Sequence, residues 1–489
     1  MNDSADRALQ GFGEPTRAWF TSSFAEPTAA QVGAWDAIAA GRHALVVAPT
    51  GSGKTLAAFL SAIDRLAREP HPAEKLRRCR VLYVSPLKAL AVDVERNLRA
   101  PLTGIGHAAA RLGQPAPDLT VGIRSGDTQA AERRRLATTP PDILITTPES
   151  LFLMLTSNAR EALRGVETVI VDEVHAVAGT KRGAHLAVSL ERLDALLERP
   201  AQRIGLSATV RPVEEVARFL GGHQPVQVVA PEAEKRWDLS VVVPVEDMTE
   251  LGQTTGDLEG SAAGTDRRTS IWPHVEERIV DLIGEHRSTI VFANSRRLAE
   301  RLTARFNEIA ADRATADAEL SGAGPALAGQ APDKSATGGP PAQVMAQSGQ
   351  SYGAAPVIAR AHHGSVSKEQ RALIEDDLKR GRLPCVVATS SLELGIDMGS
   401  VDLVVQVESP PSVASALQRV GRAGHQVGET SRGVLFPKHR GDLVHTAVSV
   451  ERMREGAIEA LRVPANPLDV LAQQIVSATA VEQWRADEL

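Results

Sequence analysis

Ala48-Pro-Thr-Gly-Ser-Gly-Lys54-Thr55 limits what this chain can fold into more than any other stretch. An apolar run, Ala44–Val47, precedes it and reads as a buried strand; Leu56–Leu60 follows and reads as a helix. Strand, glycine-rich loop, Lys-Thr and helix together make the loop a phosphate site rather than a chance turn. Backbone N–H groups of Thr50, Gly51, Ser52 and Gly53 can turn inward onto phosphate oxygens, at the positive end of a helix dipole. Lys54 can then reach the β- and γ-phosphates, and Thr55 can offer its hydroxyl to Mg²⁺.

The rest of the chain repeats the same alternation. Arg80–Ser85, Asp142–Thr146, Thr168–Asp172 and Gln202–Ser207 are short runs rich in Leu, Ile and Val, each closed by a polar residue, with helical patterns such as Leu186–Leu197 between them. A second series holds Ser288–Ala293, Pro384–Ala388 and Val401–Gln406. Alternating strands and helices predict parallel sheets covered on both faces, with functional loops at the C-terminal ends of the strands. Aromatics are only 3% of the chain, so the cores must be built from Leu, Val, Ile and Ala.

Two stretches break the pattern. Asp247–Thr269 is rich in Gly, Thr and acidic residues and reads as a surface loop or linker. Ala311–Pro356 is dominated by Ala, Gly, Pro, Ser and Gln, and such a composition predicts a disordered insertion. Near the end, Pro467–Val476 reads as the opening helix of a further domain with too few residues after it to close a core, so a longer protein is expected. Two cysteines make no disulfide framework and suit a reducing compartment, and no apolar run is long enough to span a membrane. The net charge of −6 gives no general footprint for nucleic acid, though a local basic cleft is compatible with it.

Asp172-Glu173-Val-His175 ends the strand Val169–Val171. There Asp172 can hold Mg²⁺ opposite Thr55, and Glu173 can orient and deprotonate an attacking water. With the loop above, Asp-Glu-x-His and the later Ser207-Ala-Thr209 resemble the first half of a superfamily-two helicase of DExH type. Thr289–Arg297, Ala388–Asp397 and Gln418–His425 are similar to that family's fourth, fifth and sixth motifs. Ser391–Met398 and Gln406–Ser412 bring the resemblance closer, to the large helicase-related (Lhr) proteins.

The resemblance implies two tandem RecA-like domains, residues 1–230 and 231–450, the second carrying the insertion 311–356. Residues 451–489 would begin a winged-helix-like domain. ATP with Mg²⁺ would sit in the cleft between the two RecA-like domains. Gln31 of Phe24–Gln31 would recognise adenine, its amide offering both a donor and an acceptor. Gly395 and Asp397 would join the nucleotide site. Gln418 and Arg422 would reach the triphosphate, Arg422 as the arginine finger, because His425 stands where the commonest motif has a second arginine. Pro86, Lys88, Arg124 and Thr147 from the first domain, with Ser295, Arg296, His363 and Thr389 from the second, would contact a nucleic-acid backbone.

Three functions follow. The first, which the resemblance to the Lhr proteins implies, would be a cytoplasmic, nucleoid-associated monomer that moves 3′-to-5′ on single-stranded DNA and unwinds DNA or DNA–RNA duplexes in repair. The second is a translocase that moves on duplex without separating it. The third is a nucleic-acid-binding fragment with weak turnover.

Overall fold

The computed structural model describes residues 8–49, 51–232, 235–245, 248, 271–320, 357–394, 399–424, 429–487 and 489. They divide into two compact units. One gathers the chain up to Glu234 together with Ile458–Leu489; the other holds Lys235–Glu393 and Met398–Ala457.

The first unit is built on seven parallel strands: β1 (His43–Val47), β2 (Val81–Val84), β3 (Val121–Arg124), β4 (Ile143–Thr146), β5 (Thr168–Val171), β6 (Gln202–Ser207) and β7 (Val226–Val229). Their order is β3-β4-β2-β5-β6-β1-β7. Alternate residues of each inner strand enter opposite cores. Val81, Tyr83, Ile143, Ile145, Ile170 and Ile204 join one cluster with Phe59, Leu60 and Ile63 of the helix Lys54–Arg68. Leu82, Val84, Leu144, Val169 and Val171 join the other with Leu186, Leu190 and Leu193 of the helix Lys181–Leu196. Both faces being covered, these strands read as unbroken apolar runs.

The second unit has six parallel strands: β8 (Trp237–Val241), β9 (Thr289–Phe292), β10 (Ala359–His362), β11 (Cys385–Ala388), β12 (Leu403–Val407) and β13 (Ser431–Phe436). Their order is β10-β11-β9-β12-β13-β8. Val291, Val387 and Val405 pack against Leu298, Leu302 and Phe306 of the helix Arg296–Leu320.

That helix corrects one expectation. The insertion was expected from Ala311, but the helix continues through Leu320, and Arg313 pairs with Asp281 at 2.8 Å. Residues 311–320 are Ala-rich and contain neither Gly nor Pro. Once a helix is nucleated, such residues extend it readily. The remainder, 321–356, lies outside the described residues, as does Asp247–Thr269 apart from Met248.

The helix foreseen near the C-terminus runs Leu468–Thr479 and packs on Lys181–Leu196. The contact is polar at its centre: Arg192 Nη1 donates to Gln474 Oε1 (2.9 Å) and Ser477 Oγ (2.8 Å). Lys181 pairs with Asp469 at 2.7 Å, and the Leu461 amide donates to the Arg211 carbonyl at 2.7 Å. Among the described residues no helix is long and apolar enough to cross a membrane, and no group of three or more metal-ligating side chains occurs.

Candidate nucleotide and nucleic-acid sites

The glycine-rich loop leaves β1 and enters the helix Lys54–Arg68. Gly51 and Gly53 have φ of 83° and 77°, the left-handed region that glycine enters without penalty. A Cβ at Gly53 would lie 2.5 Å from Gln31 Nε2, so a side chain there would displace the Gln31 amide. Lys54 Nζ donates to the carbonyls of Ala48 and of Pro49, the latter at 2.7 Å. Thr55 is half-buried in the first helical turn, and Thr50 lies outside the described residues.

Gln31 is buried rather than displayed on the surface. Its Oε1 accepts from the Thr28 amide (3.0 Å) while Thr28 Oγ1 accepts from the Gln31 amide (3.2 Å), a capping box. Gln31 Nε2 donates to the Gly53 carbonyl (3.4 Å), and Thr28 Oγ1 donates to the Ser52 carbonyl (2.9 Å). The side chain expected to read adenine therefore also braces the loop. An amide has two donors and two lone pairs, so each atom retains capacity for one more bond.

The acid pair follows β5. Asp172 and Glu173 are both buried. Asp172 Oδ1 accepts from the Glu173 amide (2.8 Å), and Oδ2 accepts from the Tyr83 hydroxyl. Burial, and then the charge of Glu173, push the Asp172 carboxyl up to about 7. Glu173 holds φ 44° and ψ 47°, a strained backbone for a side chain of this size. His175 Nδ1 lies 3.5 Å from Glu173 Oε2, accepts from the Ala208 amide (3.2 Å) and lies 3.2 Å from Ser207 Oγ. The acid motif and the Ser-Ala-Thr motif are thus joined through one imidazole. Two adjacent buried carboxylates and the Thr55 hydroxyl are hard oxygen donors with excess negative charge, which fits Mg²⁺.

In the second unit Gln418 and Arg419 belong to the helix Val413–Val420, capped by Ser412, and Arg422 follows it. Arg422 is buried, with Nη2 donating to the Glu393 carbonyl at 2.8 Å. Arg419, which the motif reading passed over, is the more heavily bonded. It donates to Glu393 Oε2 (3.0 and 3.1 Å), Asn294 Oδ1 (3.1 Å) and Gln406 Oε1 (2.9 Å), and its guanidinium lies 5.3 Å from the Phe292 ring centre. The signal was available, because a cation stands on the buried stripe with Val413, Ala416 and Val420. Gly395, Asp397 and His425 lie outside the described residues.

The expected backbone contacts all lie at or just after strand ends. After β2, Pro86 is buried and Lys88 is exposed, paired with Asp127 at 2.5 Å. Arg124 ends β3, half-buried. Burial and the neighbouring Arg133 hold its guanidinium below the usual value, and among the described residues nothing hydrogen-bonds its Nη1. Thr147 follows β4 and caps the helix Pro148–Leu155 through the Ser150 amide (3.4 Å). In the second unit Ser295 Oγ accepts from the Leu298 amide (3.2 Å), and Arg296 donates to Ser365 Oγ (2.7 Å). His363 meets Glu300 at 2.5 Å, and half-buried Thr389 follows β11.

Sheet order sorts these residues. In the first unit the residues expected at a nucleic-acid backbone lie at the end of β3 and after β4 and β2, while those expected at the nucleotide follow β1 and β5, with Ser207-Ala-Thr209 at the end of β6 between those two strands. The two sets meet where β2 pairs with β5. In the second unit the backbone groups follow β10, β11 and β9, and Gln406 lies on β12 beyond them.

Three family models match the sequence: DEAD/DEAH box helicase over residues 28–217, helicase conserved C-terminal domain over 345–426, and the winged helix domain of the large helicase-related protein over 451–489. A Lhr helicase/probable uracil glycosylase of Mycolicibacterium smegmatis is 65% identical over 100% of this chain and 30% of its own length. The Lhr helicase/uracil glycosylase of Escherichia coli is 57% identical over 98% of this chain and 30% of its own. A solved Mycobacterium smegmatis helicase Lhr bound to ssDNA and AMP-PNP superposes with a TM-score of 0.81 at 63% identity, covering 98% of this chain and 55% of that one. The chain thus spans about a third of these two curated relatives. Two parallel-sheet domains with the loop, acid-pair and arginine motifs in order, and these matches along nearly all of it, place the chain in the superfamily-two DExH helicase family, most like the N-terminal part of the large helicase-related proteins.

Proposed function

We propose that this chain is the motor of an ATP-dependent helicase that translocates 3′-to-5′ on single-stranded DNA and unwinds DNA or DNA–RNA duplexes in repair. The observation that carries the reading is the sorting of the first sheet. Residues suited to a nucleotide and residues suited to a strand backbone emerge from the same edge, on adjacent halves. In parallel sheets this edge is where ligands bind.

Lys54 leaves the loop carbonyls to neutralise the β- and γ-phosphates, whose oxygens the loop amides hold. Thr55 and Asp172 hold Mg²⁺, which when bound screens the phosphate charge. Glu173 takes the proton of the attacking water on its carboxylate. Gln418 orients the triphosphate, and Arg422 supplies positive charge to the γ-phosphoryl group as it transfers. Lys88, Arg124 and Arg296 neutralise strand phosphates, and the hydroxyls of Thr147, Ser295 and Thr389 accept and donate at the same backbone. None of these groups reads a base edge, which suits a motor that must pass every sequence. The names of the two curated relatives join a helicase to a uracil glycosylase, which supports a repair setting.

Strand displacement with ATP on 3′-tailed, 5′-tailed and blunt duplexes tests the reading. Unwinding of the 3′-tailed substrate alone is expected. Movement on blunt duplex without displacement would favour the duplex translocase, and turnover indifferent to single-stranded DNA would leave only a binding fragment.

A further inference from the structure

Tyr83 is fully buried in β2, and no motif points to it. Its hydroxyl donates to Asp172 Oδ2. Its ring stacks on Phe59, with centres 5.1 Å apart and planes 29° from parallel. Phe59 is four residues past Thr55 on the helix Lys54–Arg68, so the two share a helix face. Tyr83 therefore touches both elements that carry the Mg²⁺ donors, one through its ring and one through its hydroxyl.

The strand itself leads elsewhere. Tyr83 pairs with Ile170 and Val84 with Val171, and the Asp172 amide donates to the Val84 carbonyl at 3.0 Å. Past Val84 the chain runs through Ser85, whose amide donates to the Thr146 carbonyl (2.8 Å), into Pro86 and Lys88. The β2–β5 pair is the boundary between the nucleotide half of the sheet and the nucleic-acid half. Tyr83 and Asp172 are the side chains that bond across it.

We propose that Tyr83 is a positioning residue: it fixes the Asp172 carboxylate for Mg²⁺ and carries the state of the strand-binding segment Ser85–Lys88 to that carboxylate. The proposal rests on the Mg²⁺–ATP reading above. Its physical basis is that each Asp172 oxygen has its own internal donor, the Glu173 amide on Oδ1 and the Tyr83 hydroxyl on Oδ2. The carboxylate cannot rotate without giving up one of them. A shift of β2 on strand binding moves one of those donors directly. Outer donors of this kind set the orientation and affinity of metal ligands. The competing explanation is that a buried tyrosine merely needs some acceptor.

Tyr83→Phe keeps the ring stack and removes the hydroxyl. The experiment titrates the 489-residue protein with fluorescent mant-ADP in EDTA and across a Mg²⁺ series, then measures oligo-dT affinity and oligo-dT stimulation of hydrolysis. Affinity in EDTA should be unchanged, while the Mg²⁺ concentration for half-saturation rises by about 10–100-fold. Oligo-dT affinity should hold while its stimulation of turnover falls. Phe59→Leu, which loosens the stack and leaves the hydroxyl, should raise the Mg²⁺ requirement by less; should Tyr83→Phe fail to fold, an unchanged requirement in this variant overturns the proposal. An unchanged Mg²⁺ requirement in folded Tyr83→Phe, or equal losses of affinity with and without Mg²⁺, overturns the positioning role alone. Wild-type nucleotide affinity that ignores Mg²⁺ overturns the Mg²⁺–ATP reading and this inference with it.

Discussion

Glu173 pays for its place with a left-handed backbone that a glutamate adopts rarely. Its carboxylate is buried beside Asp172, and such a group is a base only while the neighbouring charge is compensated. Glu173→Gln should bind nucleotide with little change and hydrolyse it at least about 10²-fold more slowly. Single-turnover hydrolysis alongside nucleotide affinity checks this; a loss of affinity with normal turnover of what binds would remove Glu173 from the chemical step. Arg419 and Arg422, the buried arginines of the second unit among the described residues, separate when hydrolysis is read alongside thermal stability. Arg422→Ala should fold and slow hydrolysis by at least about 10³-fold. Arg419→Ala strips Glu393, Asn294 and Gln406 of a shared donor and should lose about 3 kcal/mol of stability. A stable Arg419→Ala, by thermal denaturation, would show that the network is dispensable.

Among the elements, helix Arg440–Glu455 of the second unit offers a pH test. Asp442 accepts from the amides of Ser409 (3.1 Å) and Lys438 (2.8 Å). Burial alone would raise its carboxyl, but these donors outweigh burial and hold it below the usual 3.8. A lowered folded value means the carboxylate stabilises the fold above pH 3.8, and that stability is lost as pH falls through the folded value. Asp442→Asn should therefore cost about 2 kcal/mol near neutrality, and the gap to wild type should close in acid. Melting curves across pH settle the sign: a gap that widens in acid contradicts it. The elements also show what sequence could yield. The inner strands other than β13 were legible because burial on both faces makes them largely apolar; β13 was not, its first half being Ser431-Arg432-Gly433. The unread strands include all four sheet edges, β3, β7, β8 and β10, where Gly122, Gln227, Asp238 and Arg360 interrupt the run. Polar residues are the ordinary composition of an edge. The loop and the acid pair stood out as local spacing, whereas Arg422 was singled out only through the family resemblance. Tyr83 was not legible, because its role lies in a partner far along the chain, Asp172; Arg419 showed in sequence only as a cation on a buried stripe, its partner Asn294 lying far away.

For the molecule as a whole, the net charge of −6 makes the proposed strand-binding edge a local matter. If Lys88, Arg124 and Arg296 each neutralise one phosphate, log affinity for oligo-dT against log salt should have a slope of about −2. Lys88→Ala should flatten that slope by about 0.7 without changing preference among base sequences. A slope unaltered by the substitution would place Lys88 off the strand, held instead by Asp127. One feature of the chain's path bears on how it comes to be made. Arg192 finds its partners on Gln474 and Ser477, and Leu461 meets Arg211, so the first unit draws on residues that come before and after the second unit in the chain. During synthesis the sheet β1–β7 leaves the ribosome early, yet the face of Lys181–Leu196 must wait, with a half-buried guanidinium uncovered, until the second unit has been threaded out after it. The first unit is thus completed only after the second has been made.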